Sequence, residues 1–86
     1  MAILVDTPVN LGKGIISAHM VSDKSLKELH TFAKNLGLKK NMFQITDGGF
    51  TRYNINIPKR LKAIDLGAKE ASPAEFMIAS RRLSSL

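Results

Sequence analysis

The chain has 86 residues, with 13 Lys and Arg against 7 Asp and Glu, and its formal net charge is +6 at pH 7. A chain of this length predicts one domain, residues 1–86, with a modest core. It contains no cysteine, which excludes disulfides and thiolate metal sites. It has no apolar run long enough to span a membrane, and its start lacks the basic leader of a signal peptide. We therefore expect a cytoplasmic protein without a membrane partner, whose basic character favours anionic partners.

The first part of the chain predicts two strands and a helix. Apolar runs at residues 3–7 and 15–21 are typical of buried strands, and residues 9–14, with two glycines, are typical of a loop. Residues 22–37 predict a helix because apolar side chains recur there at helical spacing. Its start is capped by Ser22 or Asp23 or, if the helix begins later, by a capping box of Ser25 and Glu28, and its end is marked by Gly37.

The next part predicts a hairpin. Residues 42–46 and 50–57 flank Asp47-Gly48-Gly49, which is a strong turn signal. The second arm alternates strictly, with an apolar row of Tyr53, Ile55 and Ile57 and a polar row of Arg52, Asn54 and Asn56. We expect the apolar row to face a core and the polar row to face outward.

Two further helices complete the prediction. Asn56 is suited to cap the first, with Pro58 in its first turn, Gly67 at its end and an apolar face of Ile57, Leu61 and Ile64. Residues 68–71 predict a short strand. The stretch Ser72-Pro73-Ala74-Glu75 is the strongest helix start in the chain, and that helix runs to about Leu83 with Phe76, Ala79 and Leu83 inward. The order β-β-α-β-β-α-β-α predicts a mixed α/β fold with a sheet of three to five strands and about three helices.

The stretch from Arg52 to Arg60 carries the main candidate for a binding site. A polar strand face leads there directly into a helix N-terminus, where free N–H groups and the helix dipole favour an anion. Cations in the first helical turn are unfavourable unless an anion lies beside them. The predicted anion-binding residues are Arg52, Asn54, Asn56, Lys59 and Arg60. The alternative is a solvated strand face with two surface cations.

The two histidines carry a second hypothesis. His19 on a strand and His30 on the first helix, with Asp23 or Asp6, would suit a phosphodiesterase or nuclease if they converged in one cleft. They lack metal-ligand spacing, and a lone histidine beside a core is more often a packing residue. Asp6 equally suits a turn with Thr7. We therefore predict no metal, no cofactor and no catalytic residue.

Other basic and aromatic residues have structural explanations. Lys39 and Lys40 lie in a connection, and Arg81 and Arg82 lie near a helix C-terminus, where cations are favourable. The aromatic residues are too few to predict a surface on which bases stack, and they are expected in a core; they include Phe43, Phe50 and Tyr53.

The pattern H-M-V-S-D-x-x-x-E-L-H-x-F-A-x-x-L-G-L-x-x-x-x-F-Q, followed by R-Y-N, K-R and L-G-A, resembles a small bacterial and phage family, the domain of unknown function 4031 family. The resemblance covers roughly residues 2–75. It implies roles for the two histidines, Gln44, Tyr53, Lys59 and Arg60. The residues that we take to line a pocket are His19, Asp23, His30, Gln44 and Tyr53. The family usually has His-Tyr-Asp where this chain has Arg52-Tyr53-Asn54, and Trp where it has Met42. The first difference removes a base and a carboxylate, which suits binding better than catalysis.

These observations lead to three hypotheses on function. The first is a non-enzymatic basic module, possibly encoded by a phage, that binds a nucleotide or a nucleic-acid phosphate. The second is the histidine enzyme described above. The third is an interaction or inhibitor protein that binds an acidic protein surface or forms a homo-oligomer, since small domains often complete their core by association.

Overall fold

The computed structural model describes residues 3–10, 12–45 and 51–84, without the side chains of residues 82–84. Its strands are β1 (Ile3–Val5), β2 (Val9–Asn10), β3 (Ile16–Ser22), β4 (Phe43–Ile45), β5 (Thr51–Ile55) and β6 (Lys69–Glu70). Its helices are α1 (Leu26–Leu36), α2 (Ile57–Asp65) and α3 (Pro73–Ser84), and one 3₁₀ turn, Lys40–Met42, precedes β4. The predicted mixed α/β fold is confirmed. The two-residue strand β2 is an addition, because it forms where a loop was expected.

The central strand of the sheet is β3. The strand order is β4-β5-β3-β1-β6, and β2 also pairs with β3. Among the described strands, β1 and β6 are parallel and the other pairs are antiparallel. The predicted pairing of the two hairpin arms is confirmed by β4 and β5, while the expected turn at residues 47–49 lies outside the described residues.

The register of the strands divides the side chains between two faces of the sheet. Met20 lies opposite Tyr53, and His19 lies opposite Asn54. Because neighbouring residues of a strand point to opposite faces, Met20 and Tyr53 share one face and His19 and Asn54 share the other. On the first face Tyr53 contacts α1 through His30, and on the second face His19 contacts α3 through Phe76. The sheet therefore lies between α1 on one side and α3 on the other.

The start of α1 follows the later of the two predicted caps. Ser25 is the N-cap, and its hydroxyl accepts a hydrogen bond from the backbone N–H of Glu28. The Glu28 carboxylate does not complete the capping box; it accepts from the hydroxyl of Ser22 instead. Ser22 is fully buried, so its hydroxyl needs a partner inside the protein, and Glu28 provides one.

The end of α1 determines where the following residues lie. Gly37 has φ of 86°, the left-handed conformation that glycine adopts most readily, and the N–H of Leu38 bonds to the carbonyl of Ala33. This closing turn reverses the chain and places Leu38 and Lys39 beside the ends of β3 and β5. The lysine of α2 nearest this turn, Lys59, donates its Nζ to the carbonyl of Leu36 at 2.9 Å.

Helix α2 is capped as predicted, but the side that it turns toward the core differs from the predicted one. The side chain of Asn56 accepts from the N–H of Lys59, and Pro58 lies in the first turn. The prediction that Leu61 faces the core is wrong, since Leu61 is 58% exposed and Ala63 is fully buried. Residues two positions apart point to nearly opposite sides of an α-helix, so the burial of Ala63 leaves Leu61 facing solvent.

Helix α3 has the complete capping box that its sequence predicts. The N–H of Glu75 donates to the Ser72 hydroxyl, and the N–H of Ser72 donates to the Glu75 carboxylate. Phe76 and Ala79 are buried as expected, and Leu83 lies among the side chains that are not described. The largest fully buried residues are Met20, Leu29, Leu36, Val5, Val21 and Ser22.

Candidate functional site

Three aromatic rings pack together on the α1 side of the sheet. The ring centroids of His30 and Phe43 are 4.8 Å apart, those of Phe43 and Tyr53 are 5.2 Å apart, and those of His30 and Tyr53 are 5.7 Å apart. We refer to His30, Phe43 and Tyr53 as the aromatic cluster. His30 Nδ1 and the Tyr53 hydroxyl are hydrogen-bonded at 2.6 Å. This bond fixes the orientation of two of the three rings.

The aromatic cluster lines a cleft of about 820 Å³ that is surrounded by lysines. Its other lining residues are Leu38, Lys34, Lys39 and Lys40, and we call this cleft the basic pocket. Lys34 lies in the last turn of α1, where a cation is favoured by the helix dipole. Lys39 and Lys40 lie beyond the helix end and are exposed. Within the described part of the chain, no Asp or Glu lines this pocket.

A second cleft of about 460 Å³ continues from the first, since both are lined by Leu38 and Lys39. It lies at the end of β5 and the start of α2, and we call it the strand-end pocket. Three of the predicted anion-binding residues line it, namely Asn54, Asn56 and Lys59. Its described lining also contains no acidic residue. The two clefts thus adjoin at Leu38 and Lys39, and together they are lined by four lysines and three aromatic residues.

The other two predicted anion-binding residues lie elsewhere. Arg60 donates Nε to the backbone carbonyl of Asp6 at 2.9 Å and pairs with Glu70 at 3.3 Å. It therefore holds α2 against the ends of β1 and β6. Arg52 is half-buried on the α3 side of the sheet and lines a third cleft. The predicted group of five is thus divided among three places, because Arg52 lies near the start of β5, away from the helix cap Asn56, and the helical turn separates Arg60 from Lys59.

The two histidines lie on opposite faces of the sheet. His19 Nδ1 is 2.8 Å from Asp6 Oδ2 and its ring lies 6.4 Å from that of Phe76 on α3, whereas His30 contacts Tyr53 on the α1 side. The joint site that an enzyme using both histidines requires is therefore not formed. Within the described residues, no group of three His, Cys, Asp or Glu side chains could hold a metal ion.

The remaining predicted pocket residues are dispersed. Gln44 is exposed on β4 and lies opposite Arg52, on the face away from the aromatic cluster. Asp23 is half-buried between β3 and α1. Of the five residues expected to line a pocket together, only His30 and Tyr53 are brought into one cleft among those described.

Burial raises the pKa of the Tyr53 hydroxyl above its ordinary value of 10.0. The phenol is therefore uncharged at neutral pH, and its O–H is available for the hydrogen bond with His30. Tyr53 is only 4% exposed, so it supports the His30 ring from behind rather than offering a free surface of its own.

A family model matches residues 3–83, nearly the whole chain, and its description is "Protein of unknown function (DUF4031)". The chain belongs to this family. The resemblance expected from the sequence is thereby confirmed. No curated protein and no solved structure gives a match. No helix in the described part of the chain is long and apolar enough to cross a membrane.

The sequence did not predict that Lys39, Lys40 and Phe43 of this DUF4031 protein line a pocket. Lys39 and Lys40 were assigned to a connection, and Phe43 was assigned to the core. Their proximity in sequence, with a lysine pair followed closely by an aromatic residue at the start of a strand, was the available signal. What the sequence could not show is that the left-handed turn at Gly37 folds these lysines back toward His30 and Tyr53.

Proposed function

We propose that this DUF4031 protein binds the base and phosphate of a nucleotide, or of a nucleotide unit in a single-stranded nucleic acid, in the basic pocket. The observation that carries this proposal is the aromatic cluster, which is open to a cleft lined by three lysines and by no acidic residue among those described. A nucleotide combines a flat ring with a negative charge, and this surface offers a partner for each.

The aromatic cluster supplies the surface for the base. Stacking of a base on an aromatic side chain contributes about 1–3 kcal/mol, and it depends little on which base is present. Phe43 is half-buried and His30 is exposed, so both rings retain surface for a ligand after packing against Tyr53. The pocket therefore favours binding with little preference for sequence.

The lysines supply the charge that a phosphate requires. Lys39 lines both clefts, and Lys40 and Lys59 lie in one cleft each. The Nζ of Lys59 already donates to Leu36, which holds its charge in place at the start of the strand-end pocket. A base in the basic pocket would have its phosphate near Lys39, and a following phosphate would reach Asn54, Asn56 and Lys59.

We infer binding rather than catalysis at this surface. Hydrolysis of a phosphodiester requires a group that activates water, and the acidic side chains described do not line either cleft. His30 is engaged with the Tyr53 hydroxyl through Nδ1. The proposal includes a cytoplasmic location, because free nucleotides and single-stranded nucleic acids are abundant inside cells. It also includes an origin in a phage or a bacterium.

The test is a titration of the protein with a fluorescently labelled single-stranded oligonucleotide, at several salt concentrations, followed by competition with mononucleotides. We expect binding to weaken as salt increases, because neutralised phosphates release counterions. The double variant Lys39→Gln/Lys40→Gln should weaken binding and reduce the salt dependence by about two charges. Phe43→Leu, which removes the ring but keeps an apolar side chain, should weaken binding while leaving the salt dependence unchanged.

The matched control is Lys62→Gln/Lys69→Gln, which removes two exposed lysines that line neither cleft. If this control weakens binding as much as Lys39→Gln/Lys40→Gln, the binding is due to net charge and the proposed site is wrong. If mononucleotides displace the labelled oligonucleotide at concentrations similar to those at which unlabelled oligonucleotide does, the pocket is a nucleotide site. If only longer strands displace it, the pocket is a nucleic-acid site. No binding of either would contradict the proposal and favour an acidic protein surface.

Association of two copies is the second candidate function, and exposed apolar side chains favour it. Met77 and Ile78 on α3 are 58% and 65% exposed, and Ile45 on β4 is 68% exposed. Sedimentation equilibrium measures the mass directly. A dimer that is lost in Met77→Glu/Ile78→Glu would support association through α3, and a monomer at all concentrations would exclude it.

A further inference from the structure

The three rings of the aromatic cluster are steeply inclined to one another, so they do not form one flat surface. The planes of His30 and Phe43 meet at 61°, those of His30 and Tyr53 at 78°, and those of Phe43 and Tyr53 at 56°. A stacked base lies parallel to the ring beneath it. A base that lies flat on one of these rings therefore meets the other two at a steep angle, and the rings have different roles.

Phe43 is the ring of the cluster that is suited to flat stacking. Tyr53 is 4% exposed and has almost no free face, whereas Phe43 is half-buried and lines the basic pocket. Its side chain carries no polar atom, so contact with the face of a base leaves no donor or acceptor without a partner. His30 adjoins Phe43, with ring centroids 4.8 Å apart. A base on Phe43 would meet the inclined imidazole of His30 with its edge, where hydrogen bonding rather than stacking determines the contact.

The hydrogen bond with Tyr53 determines which nitrogen of His30 carries the ring proton. Nδ1 lies 2.6 Å from the Tyr53 hydroxyl, and this hydroxyl has no other hydrogen-bond partner among the described residues. If Nδ1 carried the ring proton, the proton of the buried phenol would be left without an acceptor there, which is costly. The hydroxyl therefore donates to Nδ1. In the neutral imidazole the ring proton is then on Nε2.

The N–H group at Nε2 is free to donate to a ligand in the basic pocket. His30 is exposed and lines this pocket, and its Nε2 has no partner in the part of the chain that the structure describes. The lysines beside it also carry donors and no acceptor. A ligand must therefore present acceptors to this surface. Each of the four bases has a ring nitrogen or a carbonyl oxygen on its edge that accepts a hydrogen bond, so the contact does not require one particular base.

We propose that His30 Nε2 donates a hydrogen bond to the edge of the base that stacks on Phe43, with Tyr53 as the positioning residue that holds His30 in this form. This inference rests on the nucleotide-binding function proposed above. It makes the aromatic cluster a site that distinguishes a nucleobase from a flat ring without acceptors. Phe43 contacts the face of the base, and His30 contacts its edge.

The test compares an oligothymidylate with an analogue in which difluorotoluene replaces each thymine. Difluorotoluene has nearly the shape of thymine but is a poor hydrogen-bond acceptor. We expect the natural protein to prefer thymine, and this preference should fall by about threefold to tenfold in His30→Phe, since a hydrogen bond contributes about that much. The variant keeps a ring at this position. Thr31→Val is the matched control, because Thr31 is exposed on α1 and lines neither cleft, and it should leave the preference unchanged.

The role of Tyr53 is tested by NMR of the imidazole nitrogens without any ligand, at a mildly alkaline pH where imidazoles are ordinarily neutral. We expect a proton on His30 Nε2 and a hydrogen-bonded acceptor at Nδ1. In Tyr53→Phe the hydrogen-bond signature at Nδ1 should disappear, and the preference for thymine should fall part of the way toward that of His30→Phe. A proton on Nδ1 in the natural protein would overturn the inference.

The outcomes separate this inference from the function on which it rests. If the natural protein and His30→Phe show the same preference for thymine, the hydrogen bond from His30 is not made and the inference is wrong. The proposed function still holds in that case if Phe43→Leu and Lys39→Gln/Lys40→Gln weaken binding. Failure of the natural protein to bind either strand would overturn both.

Discussion

The two histidines have the same side chain and opposite surroundings. His30 is bonded to a neutral phenol, is part of a cluster of rings, and lies beside lysines. His19 is bonded to a carboxylate through both its ring and its backbone, and lies beneath α3. In the first arrangement Nδ1 accepts from the phenol, which leaves a donor at Nε2, and in the second Nδ1 donates to the carboxylate, which leaves an acceptor at Nε2. The partner of Nδ1 therefore determines which hydrogen-bonding group a neutral histidine presents.

The largest expected difference between the two faces of the sheet is in how much one phenylalanine on each face contributes to the free energy of unfolding. Phe76 is 7% exposed and belongs to the core, whereas Phe43 is half-buried and faces a cleft. Phe76→Ala should lower the free energy of unfolding by about 3–5 kcal/mol, while Phe43→Ala should lower it by less than half as much. Urea denaturation of both variants measures this. Equal losses would mean that Phe43 is a core residue and not a binding residue.

The bonds of His19 provide the next test. Asp6→Ala removes the acceptor of two hydrogen bonds, and we expect a loss of about 2 kcal/mol in the free energy of unfolding. Asp6→Asn keeps one acceptor oxygen of nearly the same shape and should lose roughly half as much. Thermal and urea unfolding at neutral pH give both values. If the two variants are as stable as the natural protein, Asp6 does not hold His19 in solution.

The bond of His30 should contribute less. Tyr53→Phe removes one hydroxyl, and we expect a loss of about 1 kcal/mol in the free energy of unfolding. Its measurement is the same urea titration used for Asp6→Ala. A loss larger than that of Asp6→Ala would reverse the comparison between the two histidines.

The raised pKa of Tyr53 makes the free energy of unfolding depend on pH in the alkaline range. The folded state keeps the phenol proton to a higher pH than the unfolded state, whose value is near 10.0. The resulting stabilisation is complete below pH 10.0 and is lost as the pH rises through the pKa of the folded state. Because the chain has one tyrosine, the ultraviolet absorbance of the phenolate follows this group alone. In Tyr53→Phe this part of the pH dependence should be absent; its persistence would assign it to other groups.

The smallest effect is expected at the start of α3. Hydrogen bonds from the backbone and hydroxyl of Ser72 lower the pKa of the Glu75 carboxyl below its ordinary value of 4.5. This stabilisation is present above pH 4.5 and is lost as the pH falls through the pKa of the folded state. Ser72→Ala removes the hydroxyl but keeps the backbone N–H, so NMR titration of Glu75 should show the pKa moving only part of the way back toward 4.5. An unchanged pKa would show that the Ser72 hydroxyl does not contribute to the shift in solution.

Local patterns in the sequence predicted the elements well. Ser72 and Glu75 identified the start of α3, Gly37 marked the end of α1, and Asn56 was the cap of α2. Each of these signals depends on residues within a few positions of one another. Leu61 was misplaced because its orientation depends on what packs against Ala63, which no local pattern contains.

The candidate site was harder to predict for the same reason. The aromatic cluster joins α1, β4 and β5, so its residues come from three separate parts of the chain. Arg52, Asn54 and Lys59 were predicted to belong to one anion-binding group, but which cleft each of them lines depends on its position along the chain and on the neighbouring helices. The pairing of Asp6 with His19 required the antiparallel register of β1 and β3, which sequence spacing does not give.

The position of β1 between β3 and β6 has a consequence for the order of folding. β1 pairs with β3 across a short connection, but its parallel pairing with β6 joins residues 4–5 to residues 69–70. Closing so long a loop is slow, because its entropy must be lost before the contact forms. Until then one edge of β1 is open to pairing with another chain, which is how newly made sheets aggregate. Arg60, bonded to Asp6 and Glu70, joins the two strands at this closure.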